Sequence, residues 1–258
     1  MVFWTALAVS LVIAWSATAG AWRLAHTRAW LVRGERAGQG WGLPPATLTA
    51  LAGLLAGLSV LLFLMFARSW DGGLPGRVDR VAADLARAAW SPRAQPMVLA
   101  VTHLADPLTL WAAAVGVGAW LAWRREPALL VAWASALGGN ALLNPALKRI
   151  YERWRPPADL SGLVAPGYSF PSGHTSGAVV LFGMLAYLAW RLLPPRWHLP
   201  CWLAAVTLVM MVGASRVWLQ AHWLSDVLAG MASGGAWLAL CIAASGVWRA
   251  RATPPSPR

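Results

Sequence analysis

The sequence predicts an all-α fold of the polytopic membrane class, a bundle of spanning helices folded as one unit. Of its 258 residues, 59% are hydrophobic and only 12% charged, about half the roughly 25% charge of an average soluble protein. The apolar residues gather into runs of about 20, the length a helix needs to cross the hydrocarbon core. The 19 tryptophans suit a chain with many lipid–water crossings, where indole is favoured. A net charge of +12, from 21 basic against 9 acidic side chains, would suggest nucleic acid in a soluble protein. Here the basic residues, all arginine except Lys148, lie mostly in short loops between apolar runs. Retention of positive loops and attraction to anionic headgroups account for them more simply. Cys201 and Cys241 both sit inside apolar runs, which suits small packing residues rather than a disulfide framework or a metal site.

Residues 3–22 form the first apolar run. It ends in Ser-Ala-Thr-Ala-Gly, which resembles a signal-peptidase site, but no positive segment precedes it. The arginines that follow, from Arg23 to Arg36, favour an uncleaved N-terminal transmembrane helix with its N-terminus outside. A basic, glycine-rich connection reaches residue 44. The second span runs from about Pro45 to Ala67, and Asp71-Gly-Gly-Leu-Pro-Gly breaks it. Residues 77–90 place Val78, Val81, Ala82, Leu85 and Ala89 on one helical face and arginines and aspartates on the other. That pattern predicts an amphipathic helix on the membrane surface or against the bundle.

The third span starts at Met97 or at Leu108, depending on whether Asp106-Pro107 interrupts it, and ends at Trp123. The fourth covers about Ala128 to Leu147 with Asn140 and Asn144 on one face. A loop from Lys148 to Pro171 follows. The fifth span is about Gly173–Leu193, the sixth Leu199–Ala214 and the seventh His222–Trp248. Residues 249–258, rich in proline, read as a disordered tail. The core is thus residues 45–248, preceded by 1–44. Arginine counts on the two sides are nearly even. The bias favours an outer N-terminus once Lys148, Arg155 and Arg216 are set aside as ligand-binding residues.

With this parity, three polar stretches emerge at one mouth of the bundle. In Lys148-Arg-Ile-Tyr-Glu-Arg-Trp-Arg155-Pro156 a continued helix would put Lys148 and Arg155 two turns apart on one face, an anion site. Taken alone, a basic collar at a helix end explains it better. Pro171-Ser172-Gly173-His174 opens the fifth span, where helix amides lack intrahelical partners and Gly173 lets an anion approach the backbone. In isolation, an ordinary Ser-capped turn with an interfacial histidine explains that stretch better. Ser215-Arg216-x5-His222-x3-Asp226 places a carboxylate at i+4 from an imidazole if His222 begins a helix. Ionisable groups at membrane depth are expensive, so three such clusters on one side point to a site. Three cations, a helix N-terminus, two histidines and a carboxylate suit phosphoryl transfer, which is largely positioning and charge stabilisation. They do not suit a metal, because the three cations would repel a divalent ion. No cofactor is expected.

These three stretches, in this order, resemble the tripartite signature of the type 2 phosphatidic acid phosphatase family. The same signature resembles that of the vanadium-dependent haloperoxidases, whose soluble chemistry the spanning helices disfavour. The resemblance covers residues 148–226 closely. It implies a six-helix membrane phosphatase core, with the first span as an addition. It implies that His222 attacks phosphorus to give a phosphohistidine, oriented by Asp226. It further implies that Lys148, Arg155, Arg216, Ser172 and the Gly173 amide hold the phosphoryl oxygens, and that His174 protonates the leaving oxygen and then activates water. Implied substrates are undecaprenyl pyrophosphate, phosphatidic acid, phosphatidylglycerophosphate or a lipid A phosphate, with the first slightly ahead, on the outer face of the plasma membrane. The competing readings are a non-enzymatic protein that binds or transports anionic lipid and a phosphatase of soluble esters. His103, Asp106, Tyr151 and Glu152 read as interfacial polar residues or local partners of arginines, with headgroup contact as the alternative.

Overall fold

The structure, a computed structural model, describes residues 45–70, 72–157 and 167–252. The expected first span, its basic connection and residues 253–258 lie outside the described residues. Within them the chain is all-helical: α1 Pro45–Ser69, α2 Gly73–Ala88, α3 Gln95–His103, α4 Pro107–Trp123, α5 Pro127–Tyr151, α6 Gly173–Leu192, α7 His198–Trp218 and α8 Leu224–Ala252. A single 3₁₀ turn, Pro195–Trp197, links α6 to α7.

Three helical segments are each long and apolar enough to cross a bilayer, Gly173–Leu192, Pro195–Trp218 and Leu224–Ser245. Two bent pairs qualify jointly: Gly53–Arg68 with Gly73–Ala88, bent by 80°, and Gln95–His103 with Pro107–Trp123, bent by 40°. Helix α5 has 25 residues, about 37 Å at 1.5 Å per residue, and carries Asn140, Asn144, Lys148 and Arg149 within its apolar run. The chain is membrane-embedded, and the outer faces agree: Leu61, Leu108, Trp111, Val115, Trp123 and Leu142 are all exposed, as lipid-facing residues must be when every backbone group is satisfied inside its own helix.

The break at Asp106-Pro107 is real. Proline pushes the residue before it out of the helical region, and Asp106 is extended at φ −65°, ψ 153°. Proline at the first helical position then restarts the chain as α4. The consequence is a short α3 that turns inward, with Thr102 fully buried at its end.

Helix α2 packs by an unexpected face. Its buried residues are Gly76, Asp79, Ala83 and Ala86, whereas Val78 and Val81 are 43% and 58% exposed. The apolar stripe seen in the sequence is divided: Val78 and Val81 face outward, Ala82 and Ala89 pack at the edge of the contact, and a stripe of small residues around Asp79 meets the bundle. Small residues let two backbones approach closely, and that proximity outweighs the apolar stripe when the other solvent is lipid.

Helix α8 runs against α1, α2, α5, α6 and α7 and forms the axis of the bundle. A layer of Leu121, Leu129, Trp133, Val180, Met184 and Leu238 joins α4, α5, α6 and α8. Glycines on α8 set the α6–α8 distance: a Cβ on Gly230 would lie 2.7 Å from the Ser172 carbonyl oxygen, and one on Gly234 would lie 2.9 Å from that of Ser176. The segment before α6 is anchored by Phe170, fully buried against Phe63, Trp70 and Tyr151 at centroid distances of 5.4, 4.8 and 5.2 Å.

Candidate active site

Each of the three polar stretches reaches the same cavity, by a different local route. Helix α5 stops at Tyr151, and Glu152 takes the left-handed conformation, φ 46°, with its N–H bonded to the Lys148 carbonyl. This αL cap ends the helix. Lys148 therefore lies on the last turn, and Arg155 arrives on the non-helical segment beyond it. The expected two-turn helical stripe does not form. The two cations converge because the chain turns, not because the helix continues.

Ser172 is the N-cap of α6, and its Oγ accepts from the Thr175 N–H at 3.4 Å and the Thr175 hydroxyl at 3.0 Å. It is fully buried. Its own N–H donates to the Asp226 carbonyl at 3.0 Å, which ties the start of α6 to the start of α8. Gly173 follows as the first helical residue. A Cβ there would meet Asn144 Oδ1 at 2.9 Å, so any larger residue would have to displace the Asn144 side chain.

Helix α7 ends at Trp218 with Arg216 on its last turn. Gln220 then adopts φ 58°, a left-handed conformation that costs a non-glycine residue energy. Its side-chain amide offsets that cost by donating to the Ala83 and Val217 carbonyls at 3.2 and 3.1 Å. This turn delivers His222. Helix α8 begins at Leu224, so His222 precedes the helix rather than starting it. Asp226 sits in the first turn, where Oδ2 accepts the Trp223 N–H at 2.9 Å, the carboxylate half of a capping box. His222 Nδ1 is 3.5 Å from the same oxygen, longer than a formed hydrogen bond. On its other side, His222 Nε2 is 3.4 Å from Arg155 NH1.

Lys148, Arg155, Gly173, His174, Arg216 and His222 all line one cavity of about 680 Å³. Ser172 and Asp226, both fully buried, stand directly behind it. Lys148 Nζ donates to the Tyr168 carbonyl at 2.6 Å, Arg155 to the Ala221 carbonyl at 2.7 Å, and Arg216 to the Thr102 hydroxyl at 2.8 Å. The cavity then extends away from these charges along Leu110, Trp111, Ala114, Leu137 and Val180. It is therefore polar at one end and apolar along the rest, with Asn140 and Asn144 also on its wall. Asn144 donates to the Ser176 hydroxyl at 3.2 Å.

Burial, and then the charges of Arg216, Lys148 and Arg155, hold the His222 imidazole well below its ordinary value of 6.5. The neutral ring keeps its lone pair where an ordinary histidine would already be cationic. In a ¹⁵N-histidine-labelled chain, with His222→Gln for assignment, His222 should remain neutral as the pH falls below 6.5. A midpoint near 6.5 would mean the cations are compensated. The sign for stability follows: the unfolded chain takes up this proton first, so the contribution is complete above 6.5 and declines as pH falls below it.

Sequence reasoning missed several residues that complete this site. Arg153 donates to Asp226 Oδ1 at 2.6 Å and to the Ser225 hydroxyl at 2.7 Å through one nitrogen, and to Asp79 Oδ2 at 2.8 Å through the other. Its guanidinium lies 5.3 Å from the Trp70 ring and 5.5 Å from that of Trp223. Asp79 also accepts the Ser225 N–H at 2.8 Å. Its position among arginines on an amphipathic helix gave it the appearance of a surface residue. For Asp106 the sequence suggests an interfacial polar residue or a local partner of arginines, with headgroup contact as the alternative. Its Oδ1 is 2.7 Å from His174 Nε2 and its Oδ2 is 2.5 Å from His103 Nδ1. The signal available was the Asp-Pro break, which forces this carboxylate out of a span. Tyr151 packs on Phe170, and Glu152 serves as the αL cap.

The PAP2 superfamily model matches residues 127–249. The chain is 29% identical over 177 residues to phosphatidylglycerophosphatase B of Bacillus subtilis, covering 67% of this chain and 86% of that protein. It is 34% identical over 134 residues to lipid A 1-phosphatase of Rhizobium etli, covering 46% of this chain and 53%, about half, of the relative. The crystal structure of a transmembrane PAP2 type phosphatidylglycerolphosphate phosphatase from Bacillus subtilis superposes with a TM-score of 0.67 at 26% identity, covering 78% of this chain and 98% of that one.

Proposed function

We propose that this chain, whose residues 127–249 match the PAP2 superfamily model, is a membrane lipid phosphatase of that superfamily that works through a phosphohistidine. The observation that carries the reading is the single cavity shared by Lys148, Arg155, Arg216, His174 and His222, whose apolar extension suits a lipid tail. The phosphate enters between the three cations and the N-terminus of α6, with the Gly173 amide and Ser172 adding donors. His222 Nε2 forms the bond to phosphorus as the bond to the leaving oxygen breaks, and His174 gives that oxygen a proton. Asp226 stabilises the charge that develops on His222. In the second half His174 takes a proton from water, the water oxygen bonds to phosphorus, and the bond to His222 breaks.

The membrane is the cell's inner, plasma membrane, with the cavity mouth on its outer or periplasmic face. The names of both relatives denote phosphatases of membrane phospholipids or glycolipids, which moves a lipid phosphomonoester such as phosphatidylglycerophosphate ahead of undecaprenyl pyrophosphate. Phosphate release from phosphatidylglycerophosphate, phosphatidic acid, undecaprenyl pyrophosphate and a water-soluble phosphoester, with purified full chain in detergent, tests this. At least one lipid substrate should exceed the soluble ester by about tenfold or more in kcat/KM, since each buried methylene adds about 0.8 kcal/mol. Equal rates would favour a phosphatase of soluble esters, and no release from any substrate would favour a lipid-binding protein. Activity should survive EDTA. Loss that added metal restores would count against a histidine acting without one.

A further inference from the structure

We propose that Asp106, with His103 bonded behind it, is the positioning residue for the proton-donating half of the reaction: it fixes the His174 ring and its tautomer and sets a carboxylate against the cations that share its cavity wall. This rests on reading His174 as the acid.

Asp106 is the N-cap of α4, yet its side chain caps nothing. An aspartate at this position ordinarily bonds the amides of the first turn. Here both oxygens go to imidazoles instead, Oδ1 to His174 Nε2 at 2.7 Å and Oδ2 to His103 Nδ1 at 2.5 Å. A carboxylate held at both ends cannot rotate away. The Asp106-Pro107 break and the inward turn of α3 exist at this position, and they bring two residues of a span end to a helix start 68 positions further on.

The charge environment supplies the need. The cavity wall that carries His174 also carries Lys148 from α5, Arg155 from the segment after it, Arg216 from α7 and His222 from the turn before α8. Three of these are cations, and each opposes a proton on His174. Asp226, on the far side of His222, is bonded to Arg153. Asp106 is the carboxylate that meets the His174 ring.

Proton bookkeeping is then simple. Asp106 accepts the Nε2–H, which leaves Nδ1 as the exchanging atom. As the phosphorus–oxygen bond breaks and its electron pair stays on oxygen, the Nδ1 proton moves to that oxygen. The neutral ring keeps its Nε2–H on Asp106. Nδ1 then takes a proton from the attacking water and the cycle closes. His103, whose side chain is 52% exposed against 22% for His174, holds the outer oxygen of Asp106.

Leaving-group dependence separates this role from a structural one. An alkoxide needs a proton as it leaves, whereas a nitrophenolate does not. The readout is the ratio of kcat/KM for phosphatidic acid to that for p-nitrophenyl phosphate, measured on the purified full chain. kcat/KM reports only steps up to phosphoenzyme formation. Asp106→Asn should lower the ratio by about 30-fold or more, within the roughly 10²–10⁴ that a general acid contributes. His174→Ala should lower it at least as much. If His174→Ala shows the selective loss and Asp106→Asn does not, the positioning role is wrong and the acid assignment stands. If His174→Ala loses both substrates equally, the acid assignment fails and the proposal falls with it. Should Asp106→Asn not fold, His103→Ala, at a half-exposed side chain, decides. A ratio lowered about threefold or more upholds the proposal, and an unchanged ratio overturns it.

Discussion

Replacing His222 by alanine is expected to lower phosphate release on the order of 10⁴-fold or more, as loss of a nucleophile does elsewhere, while lipid binding persists. The substitution removes the only protein atom that forms a bond to phosphorus in the proposed cycle. It leaves Lys148, Arg155, Arg216 and the α6 N-terminus in the cavity wall, so the anion site is preserved. Because the ring is held neutral, its loss uncovers no counter-charge. Two measurements on purified chain check this, lipid-phosphate release and equilibrium binding of a fluorescent lipid phosphate in detergent. The wild type should also yield an acid-labile phosphoryl label on rapid quench that His222→Ala lacks. Undiminished hydrolysis by the variant would sink the histidine nucleophile, and equal loss of binding and turnover would point to a collapsed site.

The second large effect is expected at a residue outside the signature. Among the described residues, Arg153 is the single cation between Asp79 and Asp226, with side-chain exposures of 8%, 3% and 0% for the three. Arg153→Met should destabilise the fold by about 3–5 kcal/mol, the usual consequence of removing one partner from a buried ion pair. Two facing carboxylates would remain, and one would have to take up a proton. Arg153→Lys should not rescue it fully, because a point charge cannot reproduce a fork that reaches Asp226, Ser225 and Asp79 at once. Asp79→Asn combined with Arg153→Met should recover part of the loss, since it removes one of the stranded charges. Unfolding in mixed detergent micelles measures all three. A change below about 1 kcal/mol in Arg153→Met would mean that this network does not fasten α2 to the Asp226 carboxylate. The turn 219–222 leans on the same helix through Gln220 and Ala83, so activity should fall together with stability.

How far these features are legible in the sequence depends on their range. Helix boundaries set by proline or by an N-cap serine were readable, because their causes are local: Pro107 and Pro127 start helices, and Ser172 caps one. The convergence of Lys148, His174 and His222 was readable from the parity of spans, which the bilayer enforces. The position of Arg155 was not, since it depends on Glu152 tolerating a left-handed backbone. The burial of Asp79 was hidden for a similar reason. Its helix shows an apolar stripe suited to lipid, and the stripe of Gly76, Ala83 and Ala86 that meets α8 is defined by smallness rather than by apolarity.

By itself the sequence determined the membrane class, the order of the helices and the identity of the phosphate-binding and catalytic candidates, because composition, turn chemistry and motif spacing act over a few residues. Only the tertiary structure decided what stands behind those candidates. Arg153 between two aspartates, Gln220 holding a left-handed turn against Ala83, and Asp106 set between two histidines are contacts between elements distant in the chain. The physical reason is common to all three. A charge or a strained backbone residue at membrane depth is stable only where several elements enclose it and satisfy its donors and acceptors. That enclosure comes from packing, which no single stretch of the chain encodes.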